Sequence, residues 1–222
     1  MERPLAIAHR AGNSLSRLRT TEGLGVDIIE ADLHLFHGEV EVRHEKTIGP
    51  IPIFWERWRL IRPLTPRMRL QDLLTAVAPS THLMLDLKGP SPRLSRLTLE
   101  AMQRSFAGRH YTVCARNWML LRPFEGLPGV RVIRSIGGLI QLQCLLHGRR
   151  RSFDGVSIDQ RLLTAEVARE LSSRADLLLT WDVTTDERVR ELSALGVNGF
   201  ILEDPALLRS IRDSPGDAPT AN

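Results

Sequence analysis

The stretch Asp27-Ile28-Ile29-Glu30-Ala31-Asp32-Leu33-His34-Leu35 reads as a β-strand. Successive side chains of a strand point to opposite faces, so Glu30 and Asp32 share one face and Ala31 points to the other. Similar short β-rich runs occur at 5–9, 82–88, 111–116, 130–136, 155–159, 176–183 and 199–203. Between them lie amphipathic patterns, clearest at 70–78, 93–106, 164–173 and 186–195, with apolar residues three and four apart. Gly108, Gly196 and Pro205 punctuate their ends. Strands alternating with helices predict a parallel α/β fold, and eight of them predict a closed, compact TIM-type (β/α)8 barrel. A chain of 222 residues, 42% hydrophobic, suits one such domain, expected to span 1–213. The tail 214–222 has two prolines and no large apolar residue, and is expected to be disordered.

Composition excludes several classes. A core of this size rules out a disulfide mini-protein, a collagen-like fibre and a disordered chain. Lys and Arg number 30 against 26 Asp and Glu, a net charge of +4 that is mild and scattered, so nucleic acid is not the expected partner. No apolar run reaches the roughly 18 residues that span a bilayer, and Met1-Glu2-Arg3-Pro4 does not open a signal peptide, so a cytoplasmic protein without a transmembrane segment is expected. Cys114 and Cys144 lack metal-ligand spacing and read as buried packing residues. All basic side chains except Lys46 and Lys88 are arginine, which singles out each lysine, because an ammonium and a guanidinium are not interchangeable.

Two segments depart from strict alternation. Residues 39–44 follow His37-Gly38 and alternate Val40, Val42 and His44, as a strand hairpinned to the second barrel strand would. Residues 51–69 gather Phe54, Trp55, Trp58, three prolines and five arginines, and read as a loop or lid, a reduced insertion after strand 2. Such a loop could plug one barrel end or touch a membrane surface or an anionic substrate.

Active sites of such barrels lie at the carboxyl ends of the strands. There the sequence offers Ala8-His9-Arg10, Glu30-Ala31-Asp32, Arg43-His44-Glu45 and Asp86-Leu87-Lys88. Alternation turns Glu30 with Asp32, and Asp86 with Lys88, into the barrel mouth. Three carboxylates in one partly buried space repel one another unless a cation sits among them, and carboxylate oxygens with water suit Mg²⁺ or Ca²⁺, with Mn²⁺ an alternative. Taken singly, each piece fits an ordinary solvated strand end. Their joint position at the same end of consecutive strands points to a site.

The residues Ile7-Ala8-His9-Arg10, Gly25–Asp32 as Gly-Val-Asp-Ile-Ile-Glu-Ala-Asp, and Val40-Glu41-Val42-Arg43-His44-Glu45 resemble the opening signature of the glycerophosphodiester phosphodiesterase family. Downstream, Leu85-Asp86-Leu87-Lys88 is similar to that family's Glu-x-Lys strand, Thr180-Trp181-Asp182-Val183 to its Trp-containing seventh strand, and Gly196-Val197-Asn198-Gly199 to its closing motif. The resemblance implies metal-dependent hydrolysis of a small-molecule glycerophosphodiester to glycerol 3-phosphate and an alcohol. It implies Glu30, Asp32 and Asp86 as metal ligands, His9 and His44 as the acid–base pair, and Arg10, Lys88 and Trp181 as substrate contacts. Two alternatives stand beside it: a phospholipase D-like lyase of the same superfamily, and a barrel that binds phosphate ligands with weakened turnover.

The chain also departs from that pattern. Asn13-Ser14-Leu15-Ser16 stands where the family carries Pro-Glu-Asn-Thr, Asp86 replaces a glutamate, and Glu45 replaces an aspartate. Arg116, where a small polar residue is common, reads equally as a second phosphate contact or a surface arginine.

Overall fold

The structure, a computed structural model, describes residues 3–48, 51–56, 59–61, 67–105, 108–148 and 152–214. The chain starts with β1 (Leu5–Ala8), α1 (Leu15–Glu22), β2 (Ile28–Phe36) and β3 (Glu39–Val42). Three short strands follow, β4 (Lys46–Ile48), β5 (Ile51–Glu56) and β6 (Arg59–Ile61), then β7 (Met68–Arg69) and α2 (Leu70–Ala76). The order continues β8 (Leu83–Lys88), α3 (Pro92–Arg104), β9 (Tyr111–Ala115), β10 (Val130–Ile136), α4 (Leu139–His147), β11 (Phe153–Asp159) and α5 (Ala165–Ser172). It ends with β12 (Ala175–Trp181), α6 (Asp186–Ala194), β13 (Gly199–Leu202) and α7 (Pro205–Asp213).

The predicted barrel is present. Strands β1, β13, β12, β11, β10, β9, β8 and β2 pair in parallel in that order, and β1 pairs with β2 to close the ring. Period-two alternation divides the core. Inward positions Ile7, Ile28, Met84, Cys114, Ile133, Leu179 and Ile201 form one cluster inside the barrel. Outward positions such as Ala31, Leu33, Leu85 and Leu87 pack with helix residues such as Leu94, Leu142, Leu171 and Leu208. Gly155 faces inward where no side chain fits, since a Cβ there would lie 2.4 Å from Ile133 Cδ1.

The β2–β3 hairpin turns on His37 and Gly38 alone, with φ of 46° and 85°, as a two-residue turn matched to strand twist requires. Within 51–69 the described residues 51–56, 59–61 and 68–69 are strands, which corrects the expected loop there. β4, β5 and β6 form an antiparallel sheet, and β7 pairs with β3. Prolines suggest irregular chain, but Pro52 falls where the β4–β5 register shifts between Thr47 and Ile48, so the ladder does not need the N–H that proline lacks. Trp58 and the tail 215–222 lie outside the described residues. Cys114 is buried as expected, whereas Cys144 is exposed on the solvent side of α4. Among the described residues, no helix is long and apolar enough to cross a membrane.

Candidate active site

The site is built at the carboxyl end of β1, β2 and β8. β1 hands over to His9, whose N–H still bonds Leu202 O at 2.8 Å and keeps the ring in line with the barrel wall. The chain then turns sharply at Arg10, in the left-handed region at φ 56°. That turn aims the Arg10 N–H at Glu30 Oε2, 2.6 Å away. A short 3-10 turn, Ala11–Asn13, then presses on β2 so closely that a Cβ on Gly12 would lie 2.7 Å from Ala31 Cβ. The close approach brings Asn13 to Asp32. Asn13 Nδ2 donates to Asp32 Oδ2 and the Asp32 N–H donates to Asn13 Oδ1, both at 2.8 Å.

Glu30, Asp32 and Asp86 each offer a carboxylate oxygen within 4.8 Å of the others. Glu30 and Asp32 are buried, 2% and 0% exposed. Among the described residues Glu30 Oε1 and Asp86 Oδ1 are buried without hydrogen-bond partners. Lys88 reaches back along β8 to bond Asp86, and its Nζ forms an ion pair with Asp32 Oδ1 at 2.9 Å. Burial raises the Glu30 carboxyl well above the usual carboxylate range, and the neighbouring Asp32 carboxylate raises it further. Asp86 is also raised, because burial outweighs the Lys88 ammonium. Asp32 is lowered, because Lys88 and the Asn13 bond outweigh its burial. Three converging inward carboxylates, with open oxygens on Glu30 and Asp86, are a donor set of the hard type that Mg²⁺ or Ca²⁺ takes, so these residues fit the implied metal.

Both expected histidines flank this cluster. Burial, with Arg10 alongside, pushes His9 down to about 4, so its ring is neutral at neutral pH, and Nδ1 faces Glu203 Oε1 at 3.2 Å. His44 Nε2 lies 2.6 Å from an Arg10 guanidinium nitrogen. Arg10 also meets Glu203 at 3.3 Å. From the end of β9, next to Asp86, the Arg116 guanidinium reaches over the Trp181 ring at the end of β12, 5.2 Å from its centroid.

All eight expected site residues thus sit at one end of the barrel. Three residues of the site were not foreseen. Asn13 fixes Asp32, and Glu203 orients His9. His34 occupies the inward position after Asp32, in register with Lys88, with a buried Nε2 that has no partner among the described residues. The alternation of Glu30, Asp32 and His34 carried the signal for His34.

The architecture can be set beside known structures. A phosphodiesterase from Oleispira antarctica, solved with the product sn-glycerol-3-phosphate, superposes with a TM-score of 0.74 at 16% identity, over 96% of this chain and 98% of that one. A glycerophosphodiester phosphodiesterase from Parabacteroides distasonis gives 0.72 at 19%, over 95% and 97%. Another from Thermotoga maritima gives 0.69 at 17%, over 94% and 98%. The fold is that of the glycerophosphodiester phosphodiesterases. No protein-family model matches the sequence, and no curated protein matches it either.

Proposed function

We propose that the chain is a metal-dependent glycerophosphodiester phosphodiesterase. One observation carries the reading: three carboxylates, Glu30 and Asp32 buried and Asp86 half-buried, converge at the barrel mouth with open oxygens on Glu30 and Asp86, flanked by two histidines and two cations. Glu30, Asp32 and Asp86 would hold the ion. When bound, a divalent ion neutralises charge that develops on the phosphoryl oxygens and polarises them. The protein's own groups supply the rest. Arg10 and Lys88 attract and orient the anionic diester. His9, kept neutral by burial and oriented by Glu203, is built to accept the proton of the attacking hydroxyl through its other ring nitrogen. His44 then returns a proton to the leaving oxygen, once phosphate has taken over the Arg10 guanidinium it now contacts. Trp181, with Arg116 stacked on it, forms the opposite wall of the substrate space.

The deciding assay supplies glycerophosphocholine with varied divalent ions and follows glycerol 3-phosphate and any cyclic phosphate. Activity should vanish with chelator and return with Mg²⁺, Mn²⁺ or Ca²⁺. Full activity in excess chelator excludes the metal, and a cyclic phosphate as end product favours the lyase.

A further inference from the structure

Of the four exposed large hydrophobic side chains among the described residues, Leu15 stands apart on α1 and the other three follow two adjacent barrel strands. Met119, Leu139 and Ile140 are 58%, 64% and 81% exposed. All three follow the carboxyl ends of adjacent strands, Met119 after β9 and the other two at the start of α4 after β10. Gln141 ties the two segments together, donating to Arg116 O at 2.8 Å and accepting from the Gly137 N–H at 2.8 Å. Trp118 Nε1 adds a bond to Ser135 O at 3.0 Å. The patch therefore borders Arg116, whose guanidinium lies over the Trp181 ring at the rim of the site. The rest of the exposed α4 face, Gln143, Cys144 and His147, carries no Asp, Glu, Lys or Arg, whereas α1, α3, α5, α6 and α7 each expose charged side chains.

Apolar side chains left in water beside a phosphate-directed mouth need an occupant with one polar and one apolar part. We propose that the patch receives the aliphatic chain of a single-chain glycerophospholipid whose phosphodiester sits in the carboxylate-lined mouth. The proposal rests on the phosphodiesterase reading and narrows its substrate class. Charge complementarity sets the polarity: the cations Arg10, Lys88 and Arg116 hold the phosphate, and the patch continues from Arg116 outward. The bond changes are unaltered. A P–O bond to the alcohol breaks, the oxygen of water becomes the new P–O bond, and its proton leaves with the alcohol.

The test compares kcat/KM for glycerophosphocholine and its 1-octanoyl form, both kept monomeric, in the wild type and in the double variant Met119→Ser, Ile140→Asn. Each methylene removed from water is worth about fourfold, so two or three covered methylenes predict a preference of at least about tenfold for the acylated substrate. The variant should bring the ratio near one while leaving glycerophosphocholine turnover and the melting temperature unchanged. A wild-type ratio at or below one, or a ratio the variant does not move, overturns the proposal. Calorimetric binding of octylphosphocholine supplies a readout without turnover, and the variant should bind it at least about tenfold more weakly. Equal binding by both proteins overturns the proposal. If neither substrate is turned over but the binding difference is found, the phosphodiesterase reading fails while the chain-binding patch stands. A patch that instead drives self-association in sedimentation, or binding to phosphatidylcholine vesicles without preference for the monomeric acylated substrate, also overturns it.

Discussion

The two ends of the barrel treat buried polar groups in opposite ways. At the carboxyl end Glu30 Oε1, Asp86 Oδ1, His34 Nε2 and Arg10 Nε are buried without hydrogen-bond partners among the described residues. At the amino end such groups are largely matched. Asp27 takes Arg3 through both oxygens at 2.7 Å and the Ala6 N–H at 2.8 Å. Glu22 Oε1 accepts from the Ala78 N–H at 2.9 Å and from the Thr81 hydroxyl at 2.8 Å. His82 Nε2 meets Thr112 Oγ1 at 2.9 Å, and Arg109 is the exception, with Nε and Nη1 unpartnered among the described residues. An unsatisfied buried polar atom costs about 1 to 3 kcal/mol, so atoms left open in a cluster mark a place that a ligand completes. Matched pairs mark a place that holds the barrel together.

The contrast breaks most decisively at the histidines. His9→Ala and His44→Ala should each lower turnover of glycerophosphocholine by roughly 10²- to 10⁴-fold with little change in melting temperature. Near wild-type steady-state rates would remove that histidine from the reaction. Lys88 tests the boundary between the two kinds of group, because it is already paired with Asp86 and Asp32. Lys88→Arg should fold normally yet lose most of its turnover, since reach and shape matter as well as charge. If Lys88→Arg and Lys88→Met both keep substantial activity at unchanged melting temperature, Lys88 belongs with the structural pairs.

At the amino end the direction reverses. Asp27→Ala should cost about 1 to 3 kcal/mol in chemical denaturation and leave kcat alone, because it strands the Ala6 N–H and the Arg3 guanidinium. Glu30→Gln should do the opposite: in chelator its melting temperature should rise by a few degrees as carboxylate repulsion is relieved, and the rise on adding Mg²⁺ or Ca²⁺ should shrink. An unchanged ion-induced rise would take Glu30 out of the ligand set. The smallest effect is that of His82, which burial, with Arg131 and His110 nearby, lowers to about 4 from an ordinary 6.5. A base lowered in the folded state stabilises least when protons are abundant, so its contribution is intact above pH 6.5 and is lost as pH falls towards 4. His82→Gln should flatten the stability profile in that window. An identical slope would mean that His82 is not linked to folding.

Much of this was legible in the residues because period-two alternation acts locally. The eight barrel strands and the inward facing of Glu30, Asp32, Asp86 and Lys88 follow from neighbours in sequence. Asn13 and Glu203 did not, because each finds its partner on another strand: Asn13 meets Asp32 on β2, 19 residues away, and Glu203 meets His9 across the β1–β13 seam. The β4–β6 sheet was hidden by composition, since prolines and arginines in 51–69 outweighed a weak strand pattern. Cys144 was misplaced because α4 is rich in apolar residues on its exposed side as well as its buried one.

The seam also bears on how the chain folds. Leu5 to Ala8 pair with Gly199 to Leu202, and the Leu5 N–H bonds Asn198 O at 2.7 Å. Alongside them, the Arg212 guanidinium bonds Leu24 O across 188 residues of chain. Contacts so distant along the chain close the largest loops and form late, which makes barrel closure the expected rate-limiting event. Until β13 is in place, β1 and β12 each present an unpaired edge, and an unpaired edge invites pairing with another chain. The ring that gathers His9, Glu30 and Glu203 into one mouth is therefore also the point at which a half-formed molecule is most exposed to aggregation.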